Sequence, residues 1–241
     1  MIQRLALWAE GRRSRPALLV RAMLGTSESG DLALRTSLAA TLGSAPCAPD
    51  LVALAWRALE LMDLGTVSDV RIDALRDALH APAVPQLPLL LPNGAIIADP
   101  DAALLAGEAL ALRALTKAHR HDLATVRRHL DDLARRGPAL SGATRRASVL
   151  HGIAADAVHY PTAVAKLVRE LATAQRSDGT WGEHDLFHVG QAMLAVEHPD
   201  ATGALRRGAE ALTTHQREDG GFGSEERSWI ACRWMTKLKS G

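Results

Sequence analysis

The sequence predicts an all-α protein built from stacked helical hairpins. An eight-residue motif that begins at Gln175 occurs again at Gln216, 41 residues later, and a repeat of this length is typical of helical-hairpin arrays. Apolar residues make up 47% of the chain and aromatic residues only 3%, which favours closely packed helices over sheets. The linkers between helical patterns are short, as neighbouring antiparallel helices require.

The length, charge and cysteine content narrow the class of protein. A chain of 241 residues can bury the core of one large domain, and we predict a single domain over residues 1–241. The net charge of +1 gives no electrostatic reason to expect nucleic acid or an anionic membrane as a partner. Cys47 and Cys232 are too few for a disulfide framework and predict a reduced, cytoplasmic setting. No apolar stretch reaches the roughly 18 residues of a transmembrane helix, and the N-terminal apolar run is too short for a signal peptide.

The N-terminal third has the apolar periodicity of helices. The pattern is interrupted near Ser14 and Pro16, Asp31 is placed to cap the next helix, and Ser68 opens another. The predicted segments are roughly 1–24, 31–42, 49–62 and 68–80.

Residues 81–100 form a proline-rich insertion that interrupts the helical pattern. They hold five of the eleven prolines. The apolar run from Leu87 to Ile97, with Asn93-Gly94 inside it, predicts a short β-hairpin or an extended loop. The insertion either covers the mouth of a cavity or packs across the outside of the helices.

Seven further helices are predicted after the insertion, because apolar residues again recur at helical spacing. The segments are roughly 101–118, 122–136, 143–156, 161–175, 185–196, 201–215 and 226–238. The whole chain thus has about eleven helices, close to the twelve of six hairpins.

The repeated motif has the chemistry of a structural connector. Each copy ends an amphipathic helix, and its Asp-Gly pair supplies a turn. The glutamine amide has two donors and one acceptor, so we expect it to tie the helix end to the start of the next helix. The aromatic residue, Trp181 or Phe222, is expected to stack over that junction.

The second copy carries a resemblance to a known family. It reads Arg207-Gly208-x-x-Ala211-Leu212-x-x-x-Gln216-x-x-x-Gly220-x-Phe222, which resembles the QW repeat of squalene-hopene cyclases and related terpenoid cyclases, whose fold is shared by protein prenyltransferase β subunits. It departs from that repeat in having Ala211 where an aromatic is usual and Phe222 in place of tryptophan. The first copy keeps Trp181 but has Leu167 in place of glycine. The resemblance covers residues 166–223 and implies an α/α toroid of about six hairpins, in which helices 185–196 and 226–238 line a central cavity.

The ends of those two inner helices supply the candidate catalytic residues. His188 with Asp185 or Glu225 would form an oriented imidazole–carboxylate pair suited to a general base, although Asp185 is equally explained as a helix cap. Cys232 lies one turn beyond Ser228 on the last helix. The candidate substrate-binding residues are Trp229, Ser228, Tyr160 and His159.

A divalent metal such as zinc is a second interpretation of the same region. His184 and His188 are four residues apart, which places two imidazoles on one helix face, and Cys232 or a carboxylate would be the third ligand. The alternative is that His184 is solvated and His188 is a hydrogen-bonded residue of the cavity wall.

The motifs that start terpenoid cyclisation are absent. The chain has no Asp-x-Asp-Asp or Asp-Asp-x-x-Asp motif, and its nearest match, Leu130–Leu133, lies on a charged helix. Their absence favours a non-catalytic protein, whereas a polar, His-rich rim over an apolar cavity favours an enzyme. We predict an enzyme of terpenoid or other secondary metabolism that holds a small, largely apolar or isoprenoid-like molecule and works by acid–base or metal-assisted chemistry. The alternative is a non-catalytic small-molecule-binding or protein-interaction scaffold. A homo-oligomer or a protein partner is compatible with either.

Overall fold

The protein is mostly helical. The computed structural model describes residues 1–47, 50–80, 85–182 and 185–240, and these ranges contain thirteen α-helices and one two-stranded sheet. In chain order the elements are α1 (Ile2–Ala9), α2 (Arg15–Leu24), α3 (Asp31–Ser44), α4 (Leu51–Asp63), α5 (Asp69–His80), β1 (Leu89–Leu90), β2 (Ile96–Ile97), α6 (Pro100–Lys117), α7 (Ala124–Arg136), α8 (Ala143–Ile153), α9 (Pro161–Thr173), α10 (Leu186–Leu194), α11 (Pro199–Arg207), α12 (Ala209–Thr214) and α13 (Glu225–Ser240). Within these ranges, no helix is both long enough and apolar enough to cross a membrane.

Four helices, α2, α4, α6 and α11, begin at a residue whose side chain caps the helix. The Asp50 carboxylate accepts a hydrogen bond from Ala53 N at 2.8 Å, and Asp99 does the same for Ala102 N at 2.7 Å. The predicted helix 201–215 is in fact divided at Gly208 into α11 and α12. A Cβ at Gly208 would lie 2.8 Å from the Trp234 ring, so only glycine allows this close packing of helix on ring.

Six helices form a continuous series of packing contacts. Contacts join α4 to α6, α6 to α8, α8 to α10, α10 to α13 and α13 to α2. Helix α3 contacts both α2 and α4, and Arg15 on α2 forms a 2.7 Å ion pair with Asp63 on α4. These six helices carry much of the buried core.

The other helices flank this set. Helix α5 packs on α4 and α6, α7 on α6 and α8, α9 on α8 and α11, and α11 on α10 and α13. Helix α1 packs on α2 and α13, so the first and last parts of the chain lie side by side.

The insertion contains the short β-hairpin expected from its sequence. Leu89 pairs with Ile97 and Leu90 with Ile96 in an antiparallel ladder. Leu91, Ala95 and Ile97 are buried in the main core. Residues 81–84 of the predicted insertion lie outside the described ranges.

The repeated glutamine makes the same two contacts in both copies. Gln175 Nε2 donates to Gly179 O at 2.8 Å and to Ala204 O at 3.0 Å. Gln216 Nε2 donates to Gly220 O at 2.8 Å and to Met1 O at 3.1 Å. The prediction that the glutamine ties its helix to the start of the next one is therefore wrong, because its partner is the neighbouring flanking helix, α11 or α1. The Trp181 indole donates back to Leu171 O on α9 at 2.6 Å.

Candidate functional site

The six helices of this series share one pocket. Its volume is about 250 Å³, and α2, α4, α6, α8, α10 and α13 each contribute at least one side chain to its lining. Only three lining residues, Trp56, Leu59 and Trp229, are apolar, whereas most of the others are charged. The pocket is therefore mostly charged, and not the apolar cavity with a polar rim that the sequence predicted.

One side of the pocket is a network around Arg15. Its guanidinium lies 2.7 Å from the Asp63 carboxylate, 3.4 Å from Glu60 and in hydrogen-bond contact with Glu226. The side chains of Arg15 and Glu226 are almost fully buried. Burial would lower the pKa of Arg15, but the three carboxylates raise it. For Glu226 burial is the larger effect, and its pKa is raised even though Arg15 opposes the shift.

Positively charged side chains predominate where α6 and the middle of α13 line the pocket. Arg113 Nη1 donates to His151 O at 2.9 Å. In the part of the chain that the structure describes, neither Arg113 nor Arg233 has a carboxylate within 4.0 Å. Burial, together with the charge of Arg233, lowers the pKa of Arg113 to about 10. Burial likewise lowers the pKa of Arg233, although Asp63 and Glu226 oppose the shift.

His151 on α8 faces the same pocket and is buried. Burial lowers its pKa well below the usual value, and the positive charges of Arg113 and its neighbours add to this shift. The imidazole is therefore neutral at pH 7.

His188, the principal predicted catalytic residue, lies in a buried hydrogen-bond network. Asn93 Nδ2 lies 3.1 Å from His188 Nδ1, and His188 Nε2 lies 3.1 Å from Ser148 Oγ and 3.3 Å from Thr144 O. Burial lowers the pKa of His188, despite the opposing charge of Asp185. With Asn93 donating to Nδ1, the neutral Nε2–H tautomer satisfies both sides of the ring. These contacts match the alternative interpretation of His188 as a hydrogen-bonded wall residue.

The other three predicted catalytic residues are not gathered in the pocket. Asp185 accepts a 2.8 Å hydrogen bond from Thr144 Oγ1, while both His188 ring nitrogens are used by Asn93, Ser148 and Thr144, so the expected imidazole–carboxylate bond is not formed. Glu225 is exposed beside a shallow surface groove, and its neighbour Glu226 enters the pocket instead. Cys232 is fully buried in the core, and burial raises its pKa to about 11.

Of the predicted substrate-binding residues, Trp229 lines the pocket. Ser228 is buried, accepts from Phe222 N at 3.0 Å and donates to Ser224 O at 2.9 Å. Tyr160 and His159 lie together at the start of α9, away from the pocket. The Tyr160 hydroxyl donates to Asp131 at 2.8 Å, and His159 Nδ1 is 2.5 Å from Asp156.

The predicted metal site is only partly described by the structure. His184 lies outside the described ranges, and both ring nitrogens of His188 have protein partners. Across residues 1–47, 50–80, 85–182 and 185–240, no three His, Cys, Asp or Glu side chains lie close enough together to hold a metal ion.

Several pocket residues were not singled out from the sequence. One sequence feature could have identified Arg113 as a pocket residue: it is a charged residue within the Ala- and Leu-rich run of α6. Arg15, Asp63 and Glu226 gave no such signal, because each lies at a helix end, where charged residues are common.

Comparison with known proteins yielded no match, whether against family models, curated proteins or solved structures.

Proposed function

We propose that the protein is an α/α toroid whose inner helices are α2, α4, α6, α8, α10 and α13. The series of contacts from α4 through α13 to α2 supports this arrangement, as do the contacts of α3 with α2 and α4 and the ion pair of Arg15 with Asp63. The flanking helices sit where outer helices of such a fold belong. The resemblance of the glutamine–aromatic motif to the QW repeat points in the same direction.

On this basis the protein binds a small polar molecule in the central pocket. The observation that carries the proposal is the convergence of charged side chains from four helices, α2, α4, α6 and α13, on one pocket. Burying charges costs free energy unless each charge finds a partner, and Arg113 and Arg233 lack a carboxylate partner among the described residues. A bound ligand would offset that cost. Charged walls make an isoprenoid-like or wholly apolar ligand a poor fit.

Acid–base catalysis in this pocket is a second candidate. Burial lowers the pKa of His151 and raises the pKa of Glu226, and both side chains line the pocket. Pocket residues with pKa values shifted in this way are candidates for acid–base catalysis. This assigns to His151 and Glu226 the roles that the sequence suggested for His188 and Glu225.

Ligand-observed NMR with a set of small polar and apolar fragments tests the binding proposal. Leu59 lines the pocket and is only partly buried, so Leu59→Trp should fill the pocket with little disturbance of the core. We expect polar fragments to bind the wild-type protein and to lose their signal in Leu59→Trp. Equal binding to both proteins would refute the central pocket as the site. Leu90→Trp, at an exposed position of the hairpin, is the matched control.

A further inference from the structure

We propose that the central pocket selects a small aromatic oxyanion, whose charged group is held by Arg113 and Arg233. The ligand class is an aromatic carboxylate or phosphate monoester. This inference rests on the proposed function of the pocket and adds the chemistry of its ligand.

The first argument compares Arg113 and Arg233, which are partly buried, with the fully buried arginines Arg15, Arg21 and Arg71. Arg71 donates to the carbonyl of Leu42 at 2.7 Å. Arg15 is enclosed by Glu226, Asp63 and Glu60. Arg21 pairs with Asp31 and also donates to the carbonyl of Arg12 at 2.9 Å. Buried guanidinium groups here are thus neutralised by carboxylates or satisfied by carbonyls. Arg113 has a single carbonyl partner, and Arg233 has only an aromatic neighbour, in the described part of the protein.

The second argument is that both arginines face the same enclosed space and are held in position. The bond from Arg113 to His151 O uses one guanidinium nitrogen and leaves the rest of the fork for another acceptor. Arg233 lies 5.9 Å from the centre of the Trp229 ring. Burial lowers the pKa of both guanidinium groups, and the positive charge of Arg233 lowers the pKa of Arg113 further. An oxyanion between them would remove this repulsion and satisfy both forks.

The third argument concerns the rest of the ligand. Trp56, Leu59 and Trp229 are the apolar members of the lining, and planar rings pack well on indole faces. The volume of about 250 Å³ lies below the roughly 300 to 1,000 Å³ of pockets for drug-sized ligands. One aromatic ring with one charged substituent fits these limits, whereas a long chain does not.

An isosteric series of probes isolates the role of charge. Benzoate, benzamide and benzamidine have nearly the same shape and are anionic, neutral and cationic. In titration calorimetry we expect benzoate to bind at least on the order of tenfold more tightly than benzamide, with benzamidine weakest. Phenyl phosphate compared with benzoate distinguishes a phosphate from a carboxylate source. Inorganic phosphate alone tests the need for a ring and should bind more weakly than phenyl phosphate.

Matched variants locate the binding energy. Arg113→Gln and Arg233→Gln should each weaken benzoate or phenyl phosphate on the order of ten- to a hundred-fold, while Arg206→Gln, at an exposed position of α11, should not. Arg233→Glu should reverse the preference and favour benzamidine. Circular dichroism confirms that each variant is folded.

The outcomes separate this inference from the proposed function. If benzamide binds as tightly as benzoate and binding is lost only in Leu59→Trp, the pocket is a ligand site but the oxyanion assignment is wrong. If inorganic phosphate matches phenyl phosphate, the aromatic assignment is wrong. If no probe binds the wild-type protein, the inference fails, and the NMR fragment set decides the proposed function independently.

Discussion

The side-chain amide of Gln216 donates a hydrogen bond to the carbonyl oxygen of Met1 at 3.1 Å. Gln175 makes the equivalent bond to Ala204 on α11 at 3.0 Å. The glycines that follow agree: a Cβ at Gly179 would lie 2.5 Å from Arg207 O, and a Cβ at Gly220 would lie 2.2 Å from Arg4 O. Helix α1 therefore contacts the second motif in the same way as α11 contacts the first. The N-terminal helix thus occupies the position that the next repeat would have.

Both glutamines should contribute to stability. Gln175→Ala and Gln216→Ala each remove two donated hydrogen bonds at partly buried positions, so we expect each to lower the free energy of unfolding by about 1 to 3 kcal/mol. Denaturant titration measures the loss. Gln3→Ala, at an exposed position, should change it by less than about 0.5 kcal/mol. Unchanged stability in both motif variants would refute the connector role.

Replacing Gly220 should destabilise the protein more than replacing Gly25, because the backbone of Arg4 lies against Gly220 and no atom lies against Gly25. Gly25 ends α2 with φ 70°, and a Cβ there would meet no atom within 4 Å, so Gly25→Ala should cost about 1 to 2 kcal/mol from backbone strain alone. Gly220 has φ 88° and faces Arg4 O. We expect Gly220→Ala to cost clearly more, and equal melting temperatures for the two variants would contradict the packing of α1 on this turn.

Asn93 should be the most sensitive residue of the hairpin. It is buried, donates to Gln191 Oε1 at 2.8 Å and to His188, and accepts from Ala95 N at 3.1 Å. Asn93→Ala leaves buried partners unsatisfied and should lower the free energy of unfolding by at least about 2 kcal/mol. Leu90→Ala, on the exposed side of the same hairpin, should have little effect. Similar losses in the two variants would argue that the hairpin acts through apolar burial alone.

Stability should fall on acidification from pH 7.5 to about pH 5.5. The pKa values of His151 and His188 are lowered by burial, so below the usual histidine pKa of about 6.5 the unfolded chain takes up protons that the folded chain does not. The stabilisation is therefore present above that pKa and lost as the pH falls through it. Urea midpoints across this range should fall less steeply for His188→Gln than for the wild-type protein. Val158→Thr, an exposed non-ionisable change, should keep the wild-type slope, and an unchanged slope in His188→Gln would contradict this assignment.

The two cysteines should differ sharply in reactivity. Cys47 is exposed, whereas Cys232 is buried with its pKa raised to about 11, and only a thiolate reacts quickly. A thiol reagent should modify Cys47 in the native protein and Cys232 only after denaturation. In Cys47→Ser the native protein should show no rapid reaction. Rapid modification of that variant would show that Cys232 is accessible and would reopen its predicted catalytic role.

Sequence patterns predicted the helices well, because helical periodicity is a local property. The predicted cap Asp31 is an exception, since Gly30 takes the N-cap position of α3 and Asp31 pairs with Arg21 instead. They predicted the site less well. Glu225 and Glu226 are adjacent, and one residue rotates the side chain by about 100° on a helix; the sequence fixes the helix but not which face meets its neighbours. Arg113 and Asp63 are 50 positions apart and line the same pocket only because α4 packs on α6. The hydrogen bond from Gln216 to Met1 could not be predicted from the sequence either, because α1 carries no copy of the motif.

The contact of α13 with α1 and α2 has a kinetic consequence. Leu5, Trp8 and Val20 are buried on α1 and α2, which pack on α13, a helix that is synthesised much later than they are. While the chain leaves the ribosome, these side chains have no native cover until more than two hundred further residues have followed Leu5. Long-range contacts of this kind slow folding and leave apolar surface open to aggregation. Productive synthesis of this protein is therefore expected to depend on chaperones that shield the nascent N-terminal helices.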